Sequence, residues 1–158
     1  MADNSFDKTQ VNWHISTQLS FQLANFLEVI KRRLDEGNLV GWFQGLNLLR
    51  IQYLDHEIIE QTKRKRTKIE QKENIFPQII ELDKIKHQSE IYLSDYRRYV
   101  SKAHHEFFKD KKIKLLRLAK ISKHNFYQNT WKYHGLIMQR IKEVGYLPNK
   151  DNRWKIGF

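Results

Sequence analysis

The chain has 158 residues, with 29 Lys plus Arg against 18 Asp plus Glu, no Cys, and a formal charge of +11. That length suits one compact domain or a few long helices with a small appendage, and excludes a large cofactor-binding fold with a second domain. The missing Cys excludes disulfides, thiolate zinc sites and thiol nucleophiles together, and fits a reducing compartment.

The first fifteen residues have no clean period and read as a loose arm carrying Trp13. A helix follows, because Leu19, Leu23, Phe26, Leu27, Ile30 and Leu34 recur at three- and four-residue spacing. Ser16 or Thr17 suits its start, and Gly37 with Asn38 suits its stop. A second helical pattern begins near Leu39. Val40, Phe43, Leu46 and Leu49 or Arg50 share a face, and Trp42, Leu48, Ile51, Tyr53, Leu54, Ile58 and Ile59 broaden the apolar coverage. Gly41 and Gly45 stand four apart, which lets another helix approach closely. The pattern turns polar at Glu60 and runs into Lys63-Arg64-Lys65-Arg66, a solvated helix end or a phosphate contact.

Asn74-Ile75-Phe76-Pro77 is the clearest break, since Pro77 can begin a helix and disfavours helical geometry at Phe76. A third helix is predicted over 78–110, with Ile79, Leu82, Ile85, Ser89, Tyr92, Tyr96, Tyr99, Ala103 and Phe107 as its stripe. Three such helices bury one another as an antiparallel bundle. Beyond Lys109 a short apolar helix, a connection at Lys120–Lys123 and a further helix capped by Ser122 are expected. A tail pinned by Trp154 closes the chain.

The charge is unevenly spread. Residues 1–60 carry five basic and eight acidic side chains, 61–108 eleven and seven, and 109–158 thirteen and three. A concentrated positive field of this kind serves a polyanion more often than solubility alone. No stretch approaches eighteen apolar residues and the first residues carry no basic-then-apolar leader, so a cytoplasmic chain without a membrane span is expected, nuclear only in a host with a nucleus.

Leu115-Leu116-Arg117-Leu118-Ala119-Lys120-Ile121-Ser122-Lys123-His124-Asn125-Phe126-Tyr127 resembles a helix-turn-helix over about 20 residues, with Lys120 where a Gly is common in the turn. The resemblance implies that Ile121 and Phe126 are core, and that Lys123, His124, Asn125 and Gln128 face DNA. Asn125 and Gln128 have the amide chemistry to bridge an adenine edge. Lys111, Lys112, Lys114, Arg117, Lys120 and Lys132 are placed to hold the phosphate backbone. The interleaved aromatics Phe126, Tyr127, Trp131, Tyr133, Tyr146 and Trp154 stack bases if exposed and fill a core if buried.

Arg97-Arg98-Tyr99-Val100-Ser101-Lys102-Ala103-His104 resembles the Arg–(four to six residues)–His signature of HEPN-fold ribonucleases. That resemblance implies a metal-independent RNA cleavage with Arg98 and His104 as the motif pair; Arg97 and His104, seven apart, share a helix face, where one could hold a phosphate while the other moves a proton. Asp55-His56-Glu57 lacks the spacing of a zinc helix, no Gly-rich phosphate loop occurs, and neither metal nor cofactor is expected.

Taken together, these features predict an all-α protein: a long-helix antiparallel bundle over 1–110, in which dimerisation is expected, and a small C-terminal helix-turn-helix-like lobe over 111–158. The expected work is binding of nucleic acid, duplex DNA before RNA, by an accessory or regulatory protein. A ribonuclease, or a non-enzymatic subunit of a nucleoprotein or phage-type assembly, are the alternatives.

Overall fold

The computed structural model describes residues 21–66 and 75–145. The N-terminal arm, the cap at Ser16 or Thr17, and the tail with Tyr146 and Trp154 lie outside the described residues. Everything described is helical or connects helices, and no strand occurs among the described residues. The fold is all-α, built from long helices packed on one another. Helix α1 covers 21–35, α2 Leu39–Leu49, α3 Asp55–Lys65, α4 Pro77–His105 and α5 Lys109–Glu143, with a π-helical segment Arg50–Leu54 joining α2 to α3.

Contacts divide the chain into two compact units. The first takes the described residues up to Arg64 and from Met138 onward, and the second spans Lys65–Ile137. Position 110/111 lies inside the first turn of α5.

In the first unit, α1 stops where the sequence predicts. Gly37 adopts φ +75°, open to glycine without steric cost. Its N–H donates to Leu34 at 2.9 Å, and the Asn38 N–H donates to Arg33 at 2.9 Å. Asn38 then caps the next helix, its Oδ1 accepting from the Gly41 N–H at 2.9 Å. One residue thus closes α1 and opens α2. Gly45 brings the two helices together: a Cβ there would sit 2.9 Å from Ile30 Cγ1. Leu23, Leu27 and Ile30 of α1 are buried, as are Trp42, Phe43, Leu46 and Leu49 of α2.

The π segment changes which side of the chain is buried. An uninterrupted α-helical period from Trp42, Leu46 and Leu49 would bring Tyr53, Glu57 and Glu60 to the core face. Instead the Asp55 N–H reaches back five residues to the Arg50 carbonyl, and Leu54 and Ile58 are the buried side chains. The extra residue rotates α3 so that its apolar positions, not its carboxylates, continue the core. Arg50 is buried with it and its Nε pairs with Asp55 Oδ1 at 3.1 Å.

In the second unit, Pro77 sits at the start of α4 behind Phe76, whose φ of −123° is extended. The Arg66 guanidinium lies 4.8 Å over the Phe76 ring and donates to the Ile75 carbonyl. α4 and the part of α5 up to Ile137 form a hairpin. Midway, Asn129 Nδ2 donates to the Ile85 carbonyl and to Ser89 Oγ, each at 2.8 Å, and satisfies a fully buried Ser89. Near the turn the buried positions are small, with Ala103 on α4 and Ala119 and Ser122 on α5.

Two expectations are corrected here. First, α5 is one continuous helix of 35 residues, so there is no turn at Lys120–Ser122 and no helix-turn-helix. Ser122 is buried in mid-helix rather than capping one, and Ile121, expected in the core, is 58% exposed. The reason is a single apolar stripe that never breaks: Leu115, Ala119, Ser122, Phe126, Thr130, Tyr133, Ile137 and Ile141 follow one another by three or four residues. With no Gly or Pro between Lys109 and His134, nothing in the backbone stops the helix. Second, α4 ends at His105, so Phe107 lies beyond the helix and is 91% exposed rather than part of its stripe.

Candidate nucleic-acid interface

All ten residues expected to meet DNA lie on α5. Asn125 is half-buried and the other nine are exposed. At 100° per residue, Lys114, Arg117, Lys120, His124, Gln128 and Lys132 fall on one outward face, opposite the buried stripe. Lys111 and Asn125 lie on one flank of that face, and Lys112 and Lys123 on the other. The residues sought at a groove-reading helix start are thus spread along a rod. From Lys114 to Lys132 the face extends roughly 27 Å at 1.5 Å per residue.

Between Asp110, which stands four residues before Lys114 on the same face, and Glu143, nothing on this face of the helix compensates its charge. From Lys111 to Lys142 the helix carries no carboxylate. On α4, by contrast, Lys86 pairs with Glu90 at 3.6 Å and Arg98 with Asp95 at 3.2 Å. On α5 such a pair stands at the end, where Arg140 meets Glu143 at 2.8 Å and holds that carboxyl below its usual range. Arg117, Lys120, Lys123 and Lys132 have no carboxylate three or four residues away on their own helix.

Aromatic rings accompany the basic face. Tyr127 stacks on Trp131 with centroids 6.4 Å apart and planes within 15°, and Trp131 on His134 at 5.3 Å and 17°. Tyr127 and Trp131 are partly exposed, while Phe126 and Tyr133 fill the core. His134 is buried, and loss of hydration pushes its imidazole down to about 4.

The sequence reading misses a basic cavity at the turn of the hairpin. It has a volume of about 560 Å³ and is walled by Lys102 and His105 of α4, Lys111 and Lys114 of α5, and the apolar stems of Leu115 and Leu118. Lys111 also places its ammonium 5.3 Å over the Phe108 ring, which ties the cavity to the exposed Phe107–Phe108 pair. Only the adjacency of Phe107-Phe108 to Lys109 and Lys111-Lys112 signals this in the sequence.

Arg98 and His104 are both exposed on α4, so neither is withdrawn into the core. Their six-residue offset puts them on different sides of the helix, and Arg98 is engaged with Asp95 and lies 5.2 Å over the Tyr99 ring. Arg97, seven residues before His104, shares its face. Among the described residues no three His, Asp or Glu side chains gather as a metal-holding group. None of the described helices is long and apolar enough to cross a membrane. No protein-family model, curated protein or solved structure matches the chain.

Proposed function

We propose that the protein binds nucleic acid through the outward face of α5, as an accessory or regulatory factor that holds the phosphate backbone. The observation carrying this reading is the 32-residue span from Lys111 to Lys142 that folds as one helix without a single carboxylate. Ordinary solvated helices interleave the two signs, as α4 does; an uncompensated cationic rod is complementary to a polyanion. Lys114, Arg117, Lys120 and Lys132 supply affinity that depends on salt rather than on sequence. His124 and Gln128 add polar contacts between them. Duplex DNA, whose phosphates follow one another along a stiff axis, is the form best matched to a rigid row of cations. One copy presents the whole row, so a dimer forms no part of this reading.

The test is anisotropy titration of labelled duplex DNA, single-stranded DNA and RNA at two salt concentrations, with an Arg117→Glu/Lys120→Glu variant alongside. Wild type binds duplex with a steep loss of affinity at the higher salt, and the logarithmic slope falls by about 0.9 for each phosphate contact removed. Equal binding by wild type and variant eliminates this face as the interface. RNA cleavage that survives chelation and disappears in His104→Ala would establish a nuclease instead.

A further inference from the structure

The turn of the α4–α5 hairpin combines two features that ordinarily exclude each other. Phe107 and Phe108 are set edge to face with centroids 5.7 Å apart, and are 91% and 61% exposed. Burying phenyl rings stabilises a folding chain, so a tip that displays both gives up that stabilisation. Beside them Lys102, Lys111, Lys114 and His105 line the cavity together with Ser101, largely through the carbon stems of these side chains. Its one carboxylate, Glu106, accepts the Phe108 N–H at 3.2 Å and so serves the start of α5. Its volume of about 560 Å³ falls within the span of small-ligand sites, roughly 300–1,000 Å³.

We infer that this tip holds an unpaired nucleotide, its phosphate at the rim of the cavity and its base on the Phe107–Phe108 pair. The inference rests on the nucleic-acid reading above and narrows its substrate to a duplex that ends in, or adjoins, a single strand. A paired base cannot offer its face to a phenyl ring, whereas an unpaired one can, whatever its identity. Charge complementarity selects the other half of the ligand: Lys102, His105, Lys111 and Lys114 line an open concavity, and their positive charge suits a phosphate at its rim. A lipid surface would use the same rings and lysines but has no use for a concave site between them. Lys111 serves both halves, lining the cavity and lying over the Phe108 ring.

The experiment uses the full chain and three probes: a blunt DNA duplex, the same duplex with a short single-stranded tail, and vesicles of phosphatidylserine with phosphatidylcholine. Wild type binds the tailed duplex about tenfold more tightly than the blunt one, the size of one stacked base. A Phe107→Ala/Phe108→Ala variant loses that preference and keeps wild-type affinity for the blunt duplex; thermal melting checks that it is folded. Equal wild-type affinity for the two duplexes, or a preference that survives in the variant, overturns the inference while leaving the α5 interface standing. Binding to neither duplex overturns the α5 reading as well. Phenylalanine-dependent binding to the anionic vesicles, with no preference for the tail, assigns the tip to a membrane surface and overturns the nucleotide site.

Discussion

A single added methyl group has opposite expected effects at two helical glycines. At Gly45 a Cβ would meet Ile30 Cγ1 at 2.9 Å and Arg33 Nη1 at 3.3 Å, and Ile30 is fully buried with little room to shift. Gly45→Ala is therefore expected to destabilise, by about 1–2 kcal/mol after the gain in helix propensity, through overpacking. Gly135 is exposed within α5 with nothing within 4 Å of its missing Cβ, so Gly135→Ala is expected to stabilise by about 0.5–1 kcal/mol. Denaturant midpoints of the two variants, measured side by side, check both signs. The role of Gly45 was legible in the sequence, because a glycine placed four residues from another beside aromatics has few uses besides close approach. Exposure of Phe107 was not legible. Its spacing continues the α4 stripe, and the helix stop at Glu106 is marked by neither Gly nor Pro. His134 carries a pH dependence. Folding lowers its imidazole from 6.5 to about 4, so between those values the unfolded chain binds the extra proton. Its contribution is whole above pH 6.5 and declines as the pH falls towards 4, by on the order of 3 kcal/mol in total. His134→Gln is expected to flatten the fall in unfolding free energy between pH 7 and 5; an unchanged slope would refute the assignment.

At the scale of whole elements, periodicity carries most of what can be read in advance. The end of α1, the start of α2 and the start of α4 lie where apolar spacing, Gly37 and Pro77 put them. The π segment was visible only as excess: apolar residues on too many sides of the second helix, because two faces were superimposed across a phase change at Arg50–Leu54. α5 departs from the expectation for a related reason. The local likeness over Leu115–Tyr127 competes with a stripe that runs uninterrupted through Ser122, and tertiary burial of that stripe against α4 decides the outcome. The continuous helix has a direct test at Ile121, whose side chain is largely in solvent. Ile121→Pro removes a backbone donor and crowds the preceding turn while changing little packing, which costs about 3 kcal/mol or more in a helix interior. A turn at this position would tolerate the substitution. A clear drop in melting temperature with loss of far-UV helical signal is the expected result.

For the molecule as a whole, the sequence located the excess charge correctly at the C-terminal end but not its form. Charge totals carry no directions; only the phase of α5 sorts Lys114, Arg117, Lys120 and Lys132 to one side and Lys112 and Lys123 to another. The cavity at the hairpin turn was beyond reach because Lys102 and Lys111 come to line one site only once α4 stops and the chain reverses. The carboxylate-free span of α5 has one more consequence. Cations three residues apart along it repel one another in the free protein, and dissolved ions screen that repulsion over a Debye length of about 10 Å at 0.1 M. Raising sodium chloride is therefore expected to make the unliganded fold harder to melt while it releases bound DNA. The two salt responses run in opposite directions, and a charge-neutralised variant such as Lys120→Gln/Lys132→Gln should weaken both.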